Sequence, residues 1–164
     1  MARVEIVMGS DSDLPVMRKA ADIMTDFDID YRVSVASAHR TPDAVAQMAS
    51  SAADRNVEVF IAGAGMAAAL PGVMAAHTTV PVIGVPLSGK NLDGVDALYS
   101  IVQMPPGVPV ATVGIDGARN AAVLAIQILA INDGEVAQKL ADYRAEMAEG
   151  VREKNRSIQE SLNQ

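Results

Sequence analysis

Val4-Glu5-Ile6-Val7-Met8-Gly9-Ser10-Asp11-Ser12-Asp13 is the stretch that decides the fold of this chain. Its first half is short, rich in β-branched residues and nearly all apolar, which is typical of a buried parallel strand. After the polar turn, apolar residues recur at helical spacing from Leu14, with Asp13 as the expected N-cap and Pro15 early enough to be tolerated. A strand, a turn and a helix in this order indicate an α/β fold.

The same alternation continues along the chain without a linker or an internal repeat. A length of 164 residues with 50% hydrophobic residues suits one domain, which we assign to residues 1–164. We predict a flavodoxin-like doubly wound parallel sheet of order 2-1-3-4-5, in a three-layer sandwich with a long C-terminal helix. Further strands are expected at residues 31–36, 57–62, 81–85 and 110–113, and further helices at 44–52, about 70–76, 94–102, 118–131 and 135–162.

Charge and composition exclude several classes of function. The net charge of −7 argues against general affinity for nucleic acid, which requires a basic surface. The chain has no cysteine and two histidines far apart, so we expect chemistry without a metal. No apolar run reaches the ~20 residues of a membrane span, and the N-terminus does not resemble a signal peptide. We therefore expect a cytoplasmic protein with no membrane partner.

The last two helices predict a homo-oligomer. Residues 118–131 are almost wholly apolar, so this helix should be hidden on most of its surface. A helix sandwiched inside a monomer is the alternative. In the charged helix that follows, apolar residues form one stripe that we expect to pack on a neighbouring subunit; they are Val136, Leu140, Tyr143, Met147 and Val151.

Ser37-Ala38-His39-Arg40-Thr41-Pro42 is the strongest candidate for a functional site. Arg40 has a planar fork suited to a phosphate or carboxylate, Ser37 adds a hydroxyl, and His39 adds an imidazole that can give or accept a proton. The alternative is a solvated loop in which Thr41 caps a helix that begins at Pro42. His77 has no such surroundings and is better explained as a helix-end residue.

Two further turns should meet this stretch, because ligands bind outside the carboxyl ends of parallel strands where the strand order reverses. Residues 9–13 have hydroxyls and backbone amides that can hold a phosphate, although they also fit a plain capping turn. Residues 63–68 formally satisfy the dinucleotide-binding pattern, but they follow the third strand, and the next strand ends in Pro86 rather than an acid. They fit either tight helix packing or a wall for a flat ring formed by Met66, Ala67 and Leu70.

Taken together, these segments resemble the PurE family, the N5-carboxyaminoimidazole ribonucleotide mutases of purine biosynthesis. The likeness covers about residues 3–131. Arg40, together with Leu70-Pro71-Gly72, points to the mutase class rather than to the class that carboxylates aminoimidazole ribonucleotide directly. The segments that carry the resemblance are Met8–Asp13, Ser37–Pro42, Ala62–Gly65, Leu70–Gly72, Ser100–Pro105, Gly107–Val110 and Asn120–Ala122.

The resemblance implies a cofactor-free shift of a carboxylate from the exocyclic nitrogen of the ribonucleotide to ring carbon 4, on the pathway to IMP. His39 is implied as general acid and base. The resemblance also implies an octamer with sites at subunit contacts. It assigns substrate binding to Ser10, Ser12, Asp13, Ser37, Ala38, Arg40, Ala64, Gly65, Met66 and Leu70.

One departure from the family pattern concerns the third turn. The family commonly has Gly-Gly-Ala-Ala-His before Leu-Pro-Gly, whereas this chain has Gly65-Met66-Ala67-Ala68-Ala69. His39 is therefore expected to act without a second imidazole. Two rival functions share the same site: direct carboxylation of aminoimidazole ribonucleotide with free carbon dioxide, and a nucleotide-binding module without catalysis.

Overall fold

The computed structural model describes residues 2–162, and its centre is a five-stranded parallel sheet of order β2-β1-β3-β4-β5. The predicted strand order is confirmed. The strands are β1 (Val4–Met8), β2 (Tyr31–Val35), β3 (Val59–Gly65), β4 (Val82–Leu87) and β5 (Ala111–Thr112). The helices are α1 (Leu14–Asp26), α2 (Pro42–Ser50), α3 (Leu70–His77), α4 (Val95–Val102), α5 (Ala118–Leu129) and α6 (Gly134–Leu162), with 3-10 turns at Asp11–Asp13 and Ala53–Arg55.

Helices pack closely on both faces of this sheet. On one face, Phe60 of β3 is fully buried in a cluster that includes Val45 of α2, Met74 of α3 and Ile101 of α4. On the other face, Met17 of α1 packs where a Cβ on Gly63 would stand. A side chain at position 63 would have to displace Met17, so packing at the centre of the sheet favours glycine there.

The chain divides into two compact units between residues 125 and 126. The first contains the sheet and the helices up to most of α5, and the second contains the end of α5 and all of α6. The single domain over 1–164 stays a prediction, as does packing of residues 134–162 on a neighbouring subunit. No helix within residues 2–162 is both long and apolar enough to span a membrane.

Two strands extend beyond their predicted ends. We expected a turn from Gly63, but β3 continues to Gly65, and β4 continues through Pro86 to Leu87. The parallel register pairs Gly63 with Val85 and Gly65 with Leu87, so backbone pairing overrides the low strand propensity of glycine. The extension carries Gly65 to the edge of the sheet where ligands bind.

The predicted residues occupy the N-cap positions of α1 and α2, but their side chains make no capping hydrogen bond to these helices. Asp13 precedes α1, but its Oδ2 accepts from the backbone N–H of Ser10, 3.0 Å away, and completes a capping box on the preceding 3-10 turn. Thr41 precedes α2, but its hydroxyl donates to the Ser37 carbonyl oxygen at 3.1 Å. Both side chains therefore brace the turns that lead into the site.

Candidate active site

The loops that follow β1, β2, β3 and β4 line one cleft of about 490 Å³ at the carboxyl ends of the strands. This volume suits a small-molecule ligand. The structure brings all the predicted site residues to this cleft, although the role of each stays a prediction. They are Ser10, Ser12, Asp13, Ser37, Ala38, His39, Arg40, Ala64, Gly65, Met66 and Leu70.

Arg40 joins the first two loops. Its Nη2 donates to the carbonyl oxygen of Gly9 at 2.9 Å, and its Nε donates to Oγ of Ser37 at 3.3 Å. The Arg40 backbone N–H also donates to Oγ of Ser37, at 3.2 Å. Arg40 lines both this cleft and an adjoining depression of about 360 Å³, so its charge is available to a ligand in either one. A held guanidinium beside hydroxyl groups is a suitable binding site for a phosphate.

The loop after β1 contains a network of hydrogen bonds between neighbouring side chains. Oγ of Ser12 donates to Oγ of Ser10 at 3.0 Å, and Oγ of Ser10 donates to Oδ1 of Asp11 at 3.1 Å. Partial burial raises the pKa of Asp13 above its ordinary value, although hydrogen bonds from Ser10 and Ser12 act against the shift. The loop therefore combines hydroxyl donors with a carboxylate that is less acidic than usual.

His39 and the third loop supply the two remaining parts of the cleft. The His39 side chain is exposed and lines the same cleft as Gly65, which leaves its imidazole accessible to a ligand. Met66 is 67% exposed and has a left-handed backbone with φ of 55°, a conformation that glycine adopts more easily. Ala68 and Leu70 are buried beneath it. One side of the cleft is therefore apolar, and the other carries the imidazole and the guanidinium.

The sequence analysis missed a fourth wall, formed by Leu87, Ser88 and Gly89 at the end of β4. The signal was present in the predicted strand order, because β4 lies beside β3 and its carboxyl end meets the same edge of the sheet. The sequence predicts that this strand ends before Pro86, which leaves the wall out of the predicted site. His77, by contrast, is the exposed last residue of α3, as expected for a helix-end residue.

Within residues 2–162, no group of three or more His, Cys, Asp or Glu side chains is arranged to hold a metal ion. The titratable and cationic groups at the cleft are Asp13, His39 and Arg40. They can bind an anion and move a proton.

The sheet order and the position of the cleft define a flavodoxin-like α/β protein with a small-molecule site at the carboxyl ends of its strands. Residues 3–150 match the family model described as AIR carboxylase, and the chain belongs to this family.

Several relatives are similar over most of their length. The chain is 60% identical over 147 residues to the N5-carboxyaminoimidazole ribonucleotide mutase of Pyrococcus abyssi, covering 90% of this chain and 84% of that protein. It is 53% identical to the enzyme of the same name from Thermotoga maritima, covering 98% and 94%. Among solved structures, Treponema denticola PurE superposes with a TM-score of 0.87 at 30% identity, covering 94% of this chain and 97% of that one. The resemblance seen in the sequence is confirmed.

Proposed function

We propose that this chain is an N5-carboxyaminoimidazole ribonucleotide mutase, an isomerase of purine biosynthesis. The relatives that bear this name supply the substrate class. The observation that carries the proposal is the cleft that an exposed imidazole, a held guanidinium and a set of apolar residues line together.

In the proposed binding mode, Arg40, Ser10 and Ser37 hold the phosphate, and Asp13 accepts from the ribose. Arg40 is suited to this role because its contacts with Gly9 and Ser37 fix its plane before the ligand arrives. The five-membered ring then lies against Gly65, where there is no side chain to displace it.

The proposed chemistry uses one imidazole twice. Protonated His39 gives a proton to the exocyclic nitrogen of the carbamate, the C–N bond breaks, and carbon dioxide and the free amine result. The apolar side of the cleft keeps carbon dioxide away from water. Ring carbon 4 attacks carbon dioxide, neutral His39 removes the ring proton, and His39 ends in its starting state.

A second candidate is direct carboxylation of aminoimidazole ribonucleotide with free carbon dioxide. The chain is 50% identical over 151 residues to the phosphoribosylaminoimidazole carboxylase of Candida glabrata, covering 92% of this chain and 26% of that protein. Fold and cleft suit both reactions, so the substrate separates them.

The test is an assay with each substrate separately. The mutase converts the carbamate substrate in buffer depleted of carbon dioxide and bicarbonate, and added bicarbonate leaves the initial rate unchanged. Turnover of aminoimidazole ribonucleotide that rises with bicarbonate, without turnover of the carbamate, establishes the carboxylase instead. Binding of either ribonucleotide without product formation leaves a non-catalytic binding module. An octameric assembly and a cytoplasmic location stay predictions.

A further inference from the structure

Asp116, which lies outside the cleft, has contacts that the proposed chemistry does not use. Its carboxylate accepts twice from one residue: Ser88 N–H donates to Oδ1 at 2.9 Å, and Ser88 Oγ donates to Oδ2 at 2.7 Å. Ser88 lines the cleft, and Asp116 belongs to the loop between β5 and α5. A carboxylate that accepts from both groups fixes the backbone and the side chain of Ser88 together.

The backbone of Asp116 is held at the same place. Its N–H donates to the carbonyl oxygen of Pro86 in β4 at 2.8 Å, and its φ of 55° lies in the left-handed region. Asparagine and aspartate adopt this region more readily than other residues with side chains. The conformation aims the carboxylate back across the end of β4.

The loop between β4 and α4 closes over these contacts. A Cβ on Gly94, whose φ is 88°, would stand 2.7 Å from Cγ2 of Ile115 and 3.1 Å from Cα of Ser88. The two loops are therefore packed against each other at Gly94 as well as joined at Asp116.

Ser88 belongs to the wall that adjoins the apolar side of the cleft. Leu87 pairs with Gly65 in the sheet, and Gly65 begins the turn to Leu70. Displacement of Ser88 would remove the part of the cleft wall next to Leu87, the partner of Gly65, and in the proposed binding mode the ring lies against Gly65.

We propose that Asp116 is a positioning residue that holds Ser88 and the adjoining wall closed, and so limits the escape of carbon dioxide between cleavage of the C–N bond and formation of the C–C bond. This role rests on the proposed function. The carbamate and one proton give the free amine and carbon dioxide. When the carbon dioxide escapes, the free amine is left as the product in place of the carboxylated ring.

The experiment compares Asp116→Gly with Asp93→Gly in the full chain. Glycine keeps a left-handed backbone while removing the carboxylate, so the change is aimed at the contact with Ser88. Asp93 has a similar φ of 51° and is exposed on the loop between β4 and α4, which makes it a stringent control for added flexibility. Asp116→Asn retains one acceptor and serves as the conservative variant.

The first measurement is hydrogen exchange at the Ser88 amide in the free protein. Loss of a charge-assisted hydrogen bond should speed exchange by about tenfold in Asp116→Gly, while Asp93→Gly and Asp116→Asn stay closer to the unmodified protein. If the Ser88 amide exchanges at the same rate in Asp116→Gly and in the unmodified protein, Asp116 does not act as a clamp on Ser88, whatever the activity of the variant.

The second measurement follows the carboxylate. Substrate labelled with ¹³C in the carboxylate is converted in the presence of unlabelled carbon dioxide, and retention of label in the product is recorded. We expect lower retention and more free amine in Asp116→Gly, with Asp93→Gly unchanged. Faster exchange at Ser88 with full retention overturns the role in holding carbon dioxide.

Two further outcomes distinguish failure of this inference from failure of the proposed function on which it rests. If Asp116→Gly does not fold, Ser88→Ala removes the 2.7 Å hydrogen bond alone and should lower retention less; full retention there counts against the proposal. If the unmodified protein forms no rearranged product, the proposed function fails and the retention role fails with it, while hydrogen exchange still decides whether the clamp exists.

Discussion

At the scale of single residues, a substitution of His39 is the most direct test of the proposed mechanism. Its side chain is accessible and lies in the cleft, so His39→Asn should leave the binding site intact. We expect substrate affinity within a few-fold and turnover reduced by about 10²-fold or more, the size of an acid–base contribution. Calorimetric binding of aminoimidazole ribonucleotide and steady-state rates measure the two effects. A variant that turns over normally removes His39 from the mechanism.

Arg40 should act on binding rather than on the chemical step. Its guanidinium reaches the Gly9 carbonyl oxygen and Ser37 Oγ at once, which places its charge between two loops. Arg40→Ala should raise KM for the phosphorylated substrate by about 10- to 100-fold, the value of charge-assisted hydrogen bonds, with a smaller change in kcat. Arg40→Lys should recover only part of the lost affinity, because lysine keeps the positive charge but its ammonium lacks the planar fork of a guanidinium. Arg18→Ala, an exposed arginine on α1, is the control; equal KM values in the two alanine variants contradict the role.

The raised pKa of Asp13 predicts that the free energy of unfolding depends on pH. Burial, the largest cause, raises the pKa of Asp13 above its ordinary value of 3.8, so the folded state binds this proton more readily than the unfolded chain does. Ionisation of Asp13 therefore works against folding, and the cost develops as pH rises from about that ordinary value through the higher folded pKa. Asp13→Asn should raise Tm at pH 7, and the gain should shrink as pH falls toward 3.8. Asp22→Asn, at an exposed position on α1, is the control. A gain equal at pH 7 and pH 4 contradicts the prediction.

At the scale of elements, hydrophobic pattern predicted the strands and helices well, and long-range contacts decided their ends. Residues 4–8 form β1 as expected, because five consecutive buried positions leave little alternative to a central parallel strand. The propensities of Gly63 and Pro86 alone predict strand ends at these two residues. Pairing with neighbouring strands extends both strands, and single-segment reasoning does not see that pairing.

The joint between β1 and the 3-10 turn at Ala53–Arg55 is an element-scale feature that the sequence did not reveal. Glu5 is 1% exposed and its Oε2 accepts from Nη1 of Arg55 at 2.7 Å. Arg55 also donates through Nη2 to the Met48 carbonyl oxygen at 2.7 Å, so one guanidinium joins the strand to the end of α2. A charge this deeply buried depends on its partner.

Arg55→Met should therefore destabilise the fold, because Glu5 loses its compensating charge. We expect a loss of about 3 kcal/mol in the free energy of unfolding, at the lower end for buried pairs because Arg55 itself is partly exposed. Arg3→Met is a matched control: Arg3 is as exposed as Arg55, at 29%, but its partner Glu58 is 46% exposed, so its loss should be under ~1 kcal/mol. Urea unfolding measures both, and equal losses contradict the role of burial.

At the scale of the whole molecule, topology placed most of the site. Once the order 2-1-3-4-5 was predicted, the turns holding Ser10, His39 and Gly65 had to meet at one edge, and they do. The wall at Ser88 was not foreseen. Ser88 is hydrogen-bonded to Asp116, 28 residues further along the chain, and no local pattern predicts that pairing.

The assembly is the whole-molecule prediction that remains. Along α6, the predicted stripe runs from the buried Val136 to exposed apolar residues, with Met147 at 50% and Val151 at 67% exposure. Ile158 and Leu162 continue the same spacing at 58% and 79%. Apolar side chains repeated along one face of a charged helix favour a contact with another copy.

We therefore expect light scattering in dilute solution to give a mass several times the 17.1 kDa of one chain, with an octamer as the specific expectation. Met147→Glu combined with Val151→Glu should lower that mass, because two charges would be buried in the contact. Ala145→Glu, about half a turn away from Met147 and exposed, should leave it unchanged. A single species of about 17 kDa for the unmodified chain rules out the oligomer, and equal masses for all variants remove this face of α6 from the interface.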